Sequence, residues 1–88
     1  MIRKEFTILN KYGLHARPAA QMVKTTGKFK SSIKIEKDGL TADGKSIMGL
    51  MTLAAEVGST ITVIIDGEDA DQALSAIADL IQNKFYED

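Results

Sequence analysis

The chain has 88 residues, 44% of them hydrophobic and 26% charged, with a formal net charge of −1, proportions that fit one globular domain over 1–88 with a single modest core. It holds no cysteine and one histidine, which excludes disulfides, a thiol nucleophile, thiolate metal sites and a multi-histidine metal site, so neither metal nor cofactor is expected. No apolar run approaches the ~20 residues that span a bilayer, and the start Met1-Ile2-Arg3-Lys4-Glu5-Phe6 lacks the apolar centre of a signal peptide, so a cytoplasmic protein without membrane insertion is expected.

In chain order, Ile2, Phe6 and Ile8 alternate with Arg3, Glu5 and Thr7, which predicts a half-buried strand at about 2–9. Asn10-Lys11-Tyr12-Gly13 reads as a loop, and Gly13 can supply a backbone angle that other residues resist. A helix is expected from Ala16, with Ala16, Ala19, Ala20 and Val23 at the spacing of one face and Gly27 as its stop. Pro18 is tolerated in the first turn because its missing N–H would have had no partner there. Ile33 and Ile35 mark a second strand, Asp38-Gly39 a tight turn, and Leu40 and Ala42 a short third strand. After Asp43-Gly44-Lys45, Ser46 stands where an N-cap belongs, before Ile47, Leu50, Met51 and Ala54 at helical spacing.

Ile61, Val63 and Ile65 alternate with Thr60 and Thr62 in the most strand-like run of the chain. Asp69, with Gln72 three residues on, suggests a capping box for a last helix from Ala70 to Asn83 or Phe85. Its apolar stripe is Ala70, Ala73, Leu74, Ile77 and Ile81, with Leu80 at the edge. The order β-α-β-β-α-β-α, with strands apolar on one face only, predicts an α+β fold: an antiparallel sheet with helices on one side.

Charge is unevenly spread. Residues 1–45 hold ten Lys or Arg against four Asp or Glu, and residues 46–88 hold one against eight. The basic half contains His15, which suits a phosphorylated site and acidic partners, although a solvated face with scattered lysines reads equally well. Lys24, Lys28 and Lys30 lack aromatic interleaving, so no nucleic acid is expected. Asp66, Glu68, Asp69 and Asp71 lack EF-hand spacing and read as turn plus cap.

Gly13-Leu14-His15-Ala16-Arg17-Pro18-Ala19-Ala20 carries the chemistry. His15 falls at about the N-cap, where first-turn N–H groups, those of Ala16 and Arg17, and the positive end of the helix dipole favour an anion. A neutral imidazole nitrogen is a competent nucleophile toward phosphorus. Arg17 alone reads as a surface charge; beside His15 it reads as a phosphate clamp. Capping alone explains Ser46, and its hydroxyl is also a candidate phosphorylation site. Ile47, Met48 and Met51 cannot all face inward, which leaves core packing or an exposed docking patch.

The stretch G-L-H-A-R-P-A-A resembles the active-site signature of the histidine-containing phosphocarrier (HPr) family of the bacterial phosphoenolpyruvate-dependent phosphotransferase system, and the likeness runs along essentially the whole chain. Gly44-Lys45-Ser46-Ile47-Met48-Gly49-Leu50-Met51 is similar to the family's regulatory serine segment. The resemblance implies an open-faced β-sandwich: a four-stranded antiparallel sheet with three helices on one face. It implies that His15 takes a phosphoryl group on Nδ1 from phospho-enzyme I and passes it to an enzyme IIA domain, with Arg17 touching the phosphoryl group. A stoichiometric carrier, not an enzyme with turnover of its own, is expected. Ser46 becomes a candidate for HPr kinase/phosphorylase, and docking is expected at Ala20, Lys24, Ile47, Met48 and Met51 on a monomer. Tyr12 before Gly13 and the tail Phe85-Tyr86-Glu87-Asp88 are similar to the nitrogen-related, regulatory branch. Two alternatives stay open: a nitrogen-related phosphocarrier, and a Ser46-phosphorylated partner of a transcription regulator. A third, an unrelated α+β binding domain, requires the motif to be chance.

Overall fold

The computed structural model describes residues 1–87. The elements are β1 (Ile2–Thr7), α1 (Ala16–Thr26), β2 (Ser32–Lys37), β3 (Leu40–Asp43), α2 (Ile47–Thr52), β4 (Thr60–Asp66) and α3 (Ala70–Gln82), followed by one tight turn at Lys84–Tyr86. The expected order is therefore found. The four strands form one sheet in the order β1-β4-β2-β3, with every neighbouring pair antiparallel. Ile65 of β4 pairs Ile2 on one side and Ile33 on the other, so apolar residues of three strands share one face. Each of Ile33, Ile35, Ile61, Val63 and Ile65 is fully or almost fully buried there, contributing about 1.5–3 kcal/mol apiece. The polar alternates Thr60, Lys34 and Arg3 stay exposed, which leaves the other face to water.

Helices cover the apolar face as predicted, with four differences of detail. The buried stripe of α1 is Pro18, Ala19, Met22 and Thr26, not Ala16, Ala19, Ala20 and Val23; Ala16 and Ala20 are exposed and Val23 is half-buried. Alanines contribute little burial, so the long Met22 side chain decides which side of the helix turns inward. In α2 only Leu50 is buried, and Ala54 lies beyond the helix at φ 49°. Helix α3 stops at Gln82, short of the expected end, because Lys84, Phe85 and Tyr86 reverse the backbone hand at φ 55°, 57° and 56°. Leu80 of α3, expected at the edge of the stripe, is buried.

The capping box at Asp69 does not form. Asp69 occupies the N-cap position and its carbonyl accepts from Ala73 N at 2.9 Å, but its carboxylate makes no cap bond. The carboxylate instead accepts from Lys30 N at 2.8 Å, from Ser31 N at 3.0 Å and from the Ser31 hydroxyl. The segment before β2 outcompetes the helix because it offers three donors, against one from the helix. Gly67 allows the approach: a Cβ there would stand 2.6 Å from Ser31 Cα, at a φ of +155°. The Ser31 hydroxyl first, and then the Lys30 N–H, hold the Asp69 carboxyl below its ordinary value of 3.8, with burial opposing them.

A depressed carboxylate favours the folded state wherever the unfolded chain binds more protons. The clasp is therefore fully stabilising above the unfolded value and is lost as pH falls through the folded one. Urea midpoints taken from about pH 6 down to about pH 2 are expected to fall less steeply in Asp69→Asn than in the parent. Parallel curves would show that Asp69 is not the group linked to acid unfolding.

Candidate functional site

The loop between β1 and α1 is held from below. Gly13 adopts φ +68°, and a Cβ there would meet Ala55 O at 2.1 Å. Leu14 is buried and its N–H donates to the same Ala55 oxygen at 2.8 Å. His15 follows as the N-cap of α1, in extended backbone (φ −78°, ψ −174°) with no side-chain cap bond, so its ring is free to face outward. Ala19 N donates to His15 O at 3.0 Å and Pro18 has no N–H. Among the described residues the N–H groups of Ala16 and Arg17 thus remain unpaired at the helix start. The first turn holds no acidic residue to offset the positive end of the dipole.

His15 opens onto a groove of about 690 Å3 whose wall includes Arg17, Lys11, Lys84 and Glu87. Tyr12, 69% exposed, meets the imidazole edge-on with centroids 6.0 Å apart and planes at 89°. The Lys11 ammonium lies 5.3 Å from the Tyr12 centroid, a cation–π arrangement. Arg17 is exposed and makes no ion pair among the described residues, so its guanidinium is available to a ligand. His15 Nε2 lies 3.1 Å from Glu87 Oε2, while Nδ1 has no partner among the described residues.

Nothing local in the sequence marks Glu87 or Asn10 as site residues: an asparagine after a strand reads as loop, and the resemblance of 85–88 to the nitrogen-related branch assigns no contact to Glu87. Glu87 reaches the groove because the left-handed turn at Lys84–Tyr86, anchored by the buried Phe85, folds the chain back. The Tyr86 hydroxyl donates to the Asp79 carboxylate, and this bond, ahead of burial, raises the phenol above its ordinary value.

Ser46 caps α2 as expected: its hydroxyl accepts from Gly49 N at 3.0 Å. Its turn is fixed by Lys45 Nζ donating to Phe29 O at 2.7 Å and by Thr26 Oγ1 donating to Gly44 O at 2.8 Å. Beside it, Ile47, Met48 and Met51 are all exposed, Met48 at 78%, so they form an apolar surface patch and are not part of the core. Ala20 and Lys24 are exposed on α1, which packs against α2. Met51 shares a shallower groove with Tyr12, Leu14 and His15, so apolar patch and imidazole belong to one continuous surface. Among the described residues no cluster of histidines or carboxylates fits a metal, and no helix is long and apolar enough to cross a membrane.

Comparison with known proteins gives concordant results. The model of the family described as "PTS HPr component phosphorylation site" matches residues 2–83. Phosphocarrier protein HPr of Cupriavidus necator is 46% identical over 87 residues, 99% of this chain and 98% of that protein. The crystal structure of HPr-C-His from Thermoanaerobacter tengcongensis superposes with a TM-score of 0.95 at 44% identity, covering 100% of this chain and 99% of the other. Crh of Bacillus subtilis, described as a catabolite repression containing protein that forms a dimer by swapping, superposes with a TM-score of 0.76 at 42% identity over 96% of this chain and 97% of that one.

Proposed function

The chain belongs to the HPr family of phosphocarrier proteins, and from that premise we propose that it accepts a phosphoryl group on His15 from phospho-enzyme I and donates it to an enzyme IIA in carbohydrate uptake and its regulation. One observation carries this reading: among the described residues His15 Nδ1 is unpartnered at the start of a helix whose first two N–H groups are also unpaired, with Arg17 two residues on. The Nδ1 lone pair forms the new N–P bond while the bond from phosphorus to the donor breaks, the donor keeping that electron pair. The N–H groups of Ala16 and Arg17 and the Arg17 guanidinium hold the phosphoryl oxygens.

The site is a groove at the surface, so a donor and an acceptor protein can each approach along the line of transfer. Stabilising phosphohistidine too strongly would raise the barrier to the next transfer, and an exposed arginine avoids this. The protein works as a single domain over 1–88, a monomeric, cytoplasmic, stoichiometric intermediate that needs no cofactor. Incubation with phosphoenolpyruvate and purified enzyme I of the sugar type and of the nitrogen type is expected to yield acid-labile phosphate with the sugar-type enzyme. Absence of labelling by both enzymes would overturn the assignment.

Partners dock on Ala20 and Lys24 of α1 and on Ile47, Met48 and Met51 of α2, with Ser46 at the edge of that patch as the target of HPr kinase/phosphorylase. A phosphate on Ser46 adds about two negative charges at a helix N-terminus, where the fold tolerates them, and sets them against acidic partners. Ser46→Asp keeps a capping oxygen, so the urea midpoint is expected to stay near the parent value. The kcat/KM for phosphoryl acceptance is expected to fall about tenfold, or about 1.4 kcal/mol. An undiminished rate would remove Ser46 as a control point.

Two further readings keep specific support. The tail reaching His15 and the aromatic Tyr12 beside it favour a nitrogen-related regulatory phosphocarrier, for which the nitrogen-type enzyme I would be the better donor. The likeness to Crh favours a Ser46-phosphorylated partner of a transcription regulator, for which acid-stable phosphate would predominate in cell extracts.

A further inference from the structure

We propose a second docking lobe, separate from the patch around Ser46: Leu9, Tyr12 and Val57, rimmed by Lys11 and Lys84, receive an acidic, apolar-tipped segment of the phosphoryl-donor protein, in the groove that α2 does not line. For the identity of its occupant, the lobe rests on the phosphocarrier reading above.

Two grooves meet at the imidazole. Met51 of α2 lines the shallower one. The larger, of about 690 Å3, takes no residue from α2; its wall comes from the loop before α1, the turn before β4 and the segment after α3. Tyr12 and His15 are the two residues that both grooves share. A partner that covered only His15, α1 and α2 would leave the larger groove unfilled.

Three apolar side chains stand open in that groove: Leu9 is 43% exposed, Tyr12 69% and Val57 54%. Exposed apolar residues scattered singly are ordinary, but three converging from two separate loops on one concavity mark a contact surface. The frame beneath them is fixed. Ile8 N donates to Ser59 O at 2.9 Å and Gly58 N to Ile8 O at 2.8 Å, which clamps the Leu9 segment to the turn that carries Val57. That turn is closed twice more, by Ser59 N on Glu56 O at 2.9 Å and by Glu56 N on Ser59 Oγ at 3.0 Å, with Gly58 at φ +88°. Val57 is therefore presented on a preorganised tip, and a partner that binds it has little to order in this chain.

Charge and continuity name the occupant. Lys11 and Lys84 are exposed on the rim, and neither makes an ion pair among the described residues. The Lys11 ammonium rides on the aromatic wall, 5.3 Å from the Tyr12 centroid. The one carboxylate of the wall among the described residues, Glu87, is already hydrogen-bonded to Asn10. The lobe is thus an apolar centre inside a cationic rim, and its complement is a protein surface with carboxylates around an apolar side chain. A protein that brings a phosphoryl group to His15 covers Tyr12, which is already one wall of the lobe, so the donor is the partner placed to fill it. Contacts made there lie off the transferring atoms, so they contribute equally before and during transfer.

The test uses the full chain with purified enzyme I, the sugar type and the nitrogen type each in turn. In ¹H–¹⁵N spectra of the unphosphorylated mixtures, the amides of Leu9, Val57 and Lys84 are expected to shift together with those of α2. Val57→Glu and Lys84→Glu each set a negative charge against the occupant at an exposed position, and urea midpoints near the parent's verify their fold. In each, the KM of the chain as phosphoryl acceptor is expected to rise about tenfold with kcat unchanged, the pattern of lost uniform binding. A fall in kcat at unchanged KM would overturn docking, because a disturbed His15 loop gives that pattern. Val57→Lys, which keeps an apolar stem and adds a cation, is expected to hold KM at or below the parent value; a tenfold rise there too would overturn the acidic occupant.

Independence from the Ser46 patch is read from a double variant. In Ser46→Asp combined with Lys84→Glu, the two single effects on kcat/KM are expected to multiply to within about twofold, as for sites that share no partner. A double variant no worse than Ser46→Asp alone would overturn a separate lobe. Effects confined to transfer onward to an enzyme IIA would overturn the donor as occupant. A parent protein labelled by neither enzyme overturns the phosphocarrier reading. The shift titration then decides the lobe by itself, and unmoved Leu9, Val57 and Lys84 amides overturn it in either case.

Discussion

His15→Ala is expected to bring phosphoryl acceptance from phosphoenolpyruvate and enzyme I below about one-thousandth of the parent rate. The reason is an absence of substitutes. The chain holds no cysteine and no second histidine, so neither a thiol nor another imidazole near the helix start can take over the bond to phosphorus. The two unpaired N–H groups and Arg17 remain, and they can bind an anion without forming a covalent intermediate. The fold is expected to survive, because the ring caps nothing and, among the described residues, makes one hydrogen bond, to Glu87, and one edge-on contact, to the exposed Tyr12; the unfolding free energy should change by no more than about 0.5 kcal/mol. Acid-labile ³²P incorporation alongside a urea melt checks both halves. Labelling that persisted on the variant would sink the assignment of His15.

Gly13→Ala is expected to produce the largest loss of stability of any conservative change near the site. A Cβ at position 13 would stand 2.1 Å from Ala55 O and 2.9 Å from Glu56 Cα, both backbone atoms that cannot rotate away. The φ of +68° adds a penalty of about 1 kcal/mol or more for any L side chain. Relieving the overlap means moving the 13–14 segment off the loop after α2, and that breaks the bond from Leu14 N to Ala55 O. Together these cost about 3 kcal/mol or more. The damage also reaches the candidate site, since Gly13 O is one of the two acceptors that orient the Asn10 amide on the wall of its groove. A urea midpoint close to the parent's would show that the loop yields more easily than its packing implies.

The tie between Gly13 and Ala55 also explains how two motifs far apart in sequence act as one surface. The residues after α2 brace the loop that presents His15, and Met51 of α2 lines a groove with His15 itself. On the proposed function, a partner seated on the imidazole would also touch the helix that Ser46 caps. Charge added at Ser46 would then act without a conformational change, from the rim of that proposed interface.

Much of this molecule is legible residue by residue. The alternation in 60–65 is a strand because period two puts one face of a pleat against a core, whatever the neighbours are. Gly13 and His15 read as a turn and a helix start, and Ser46 as a cap, because turns and caps are local agreements between a side chain and the next three or four residues. The family likeness rests on the same local stretches. Where only small residues mark a face, as on α1, the pattern misleads, and the long Met22 decides which side is buried.

Asp69 shows the first limit of local reading. Its spacing to Gln72 promises a helix cap, and its carboxylate goes instead to Lys30 and Ser31, nearly forty residues away in the chain, because three donors converge there.

The G-L-H-A-R-P-A-A stretch shows the second. By itself the sequence determined that a histidine opens a helix beside an arginine, with no second imidazole and no thiol in the chain. Which nitrogen of that histidine is held, and by what, was decided only by tertiary structure. Asn10, His15 and Glu87 meet because a buried Phe85 and a left-handed turn carry the last residues back across the molecule to the first loop. A helix start is encoded within one turn of chain; a contact between residues 10 and 87 is encoded in the packing of everything between them.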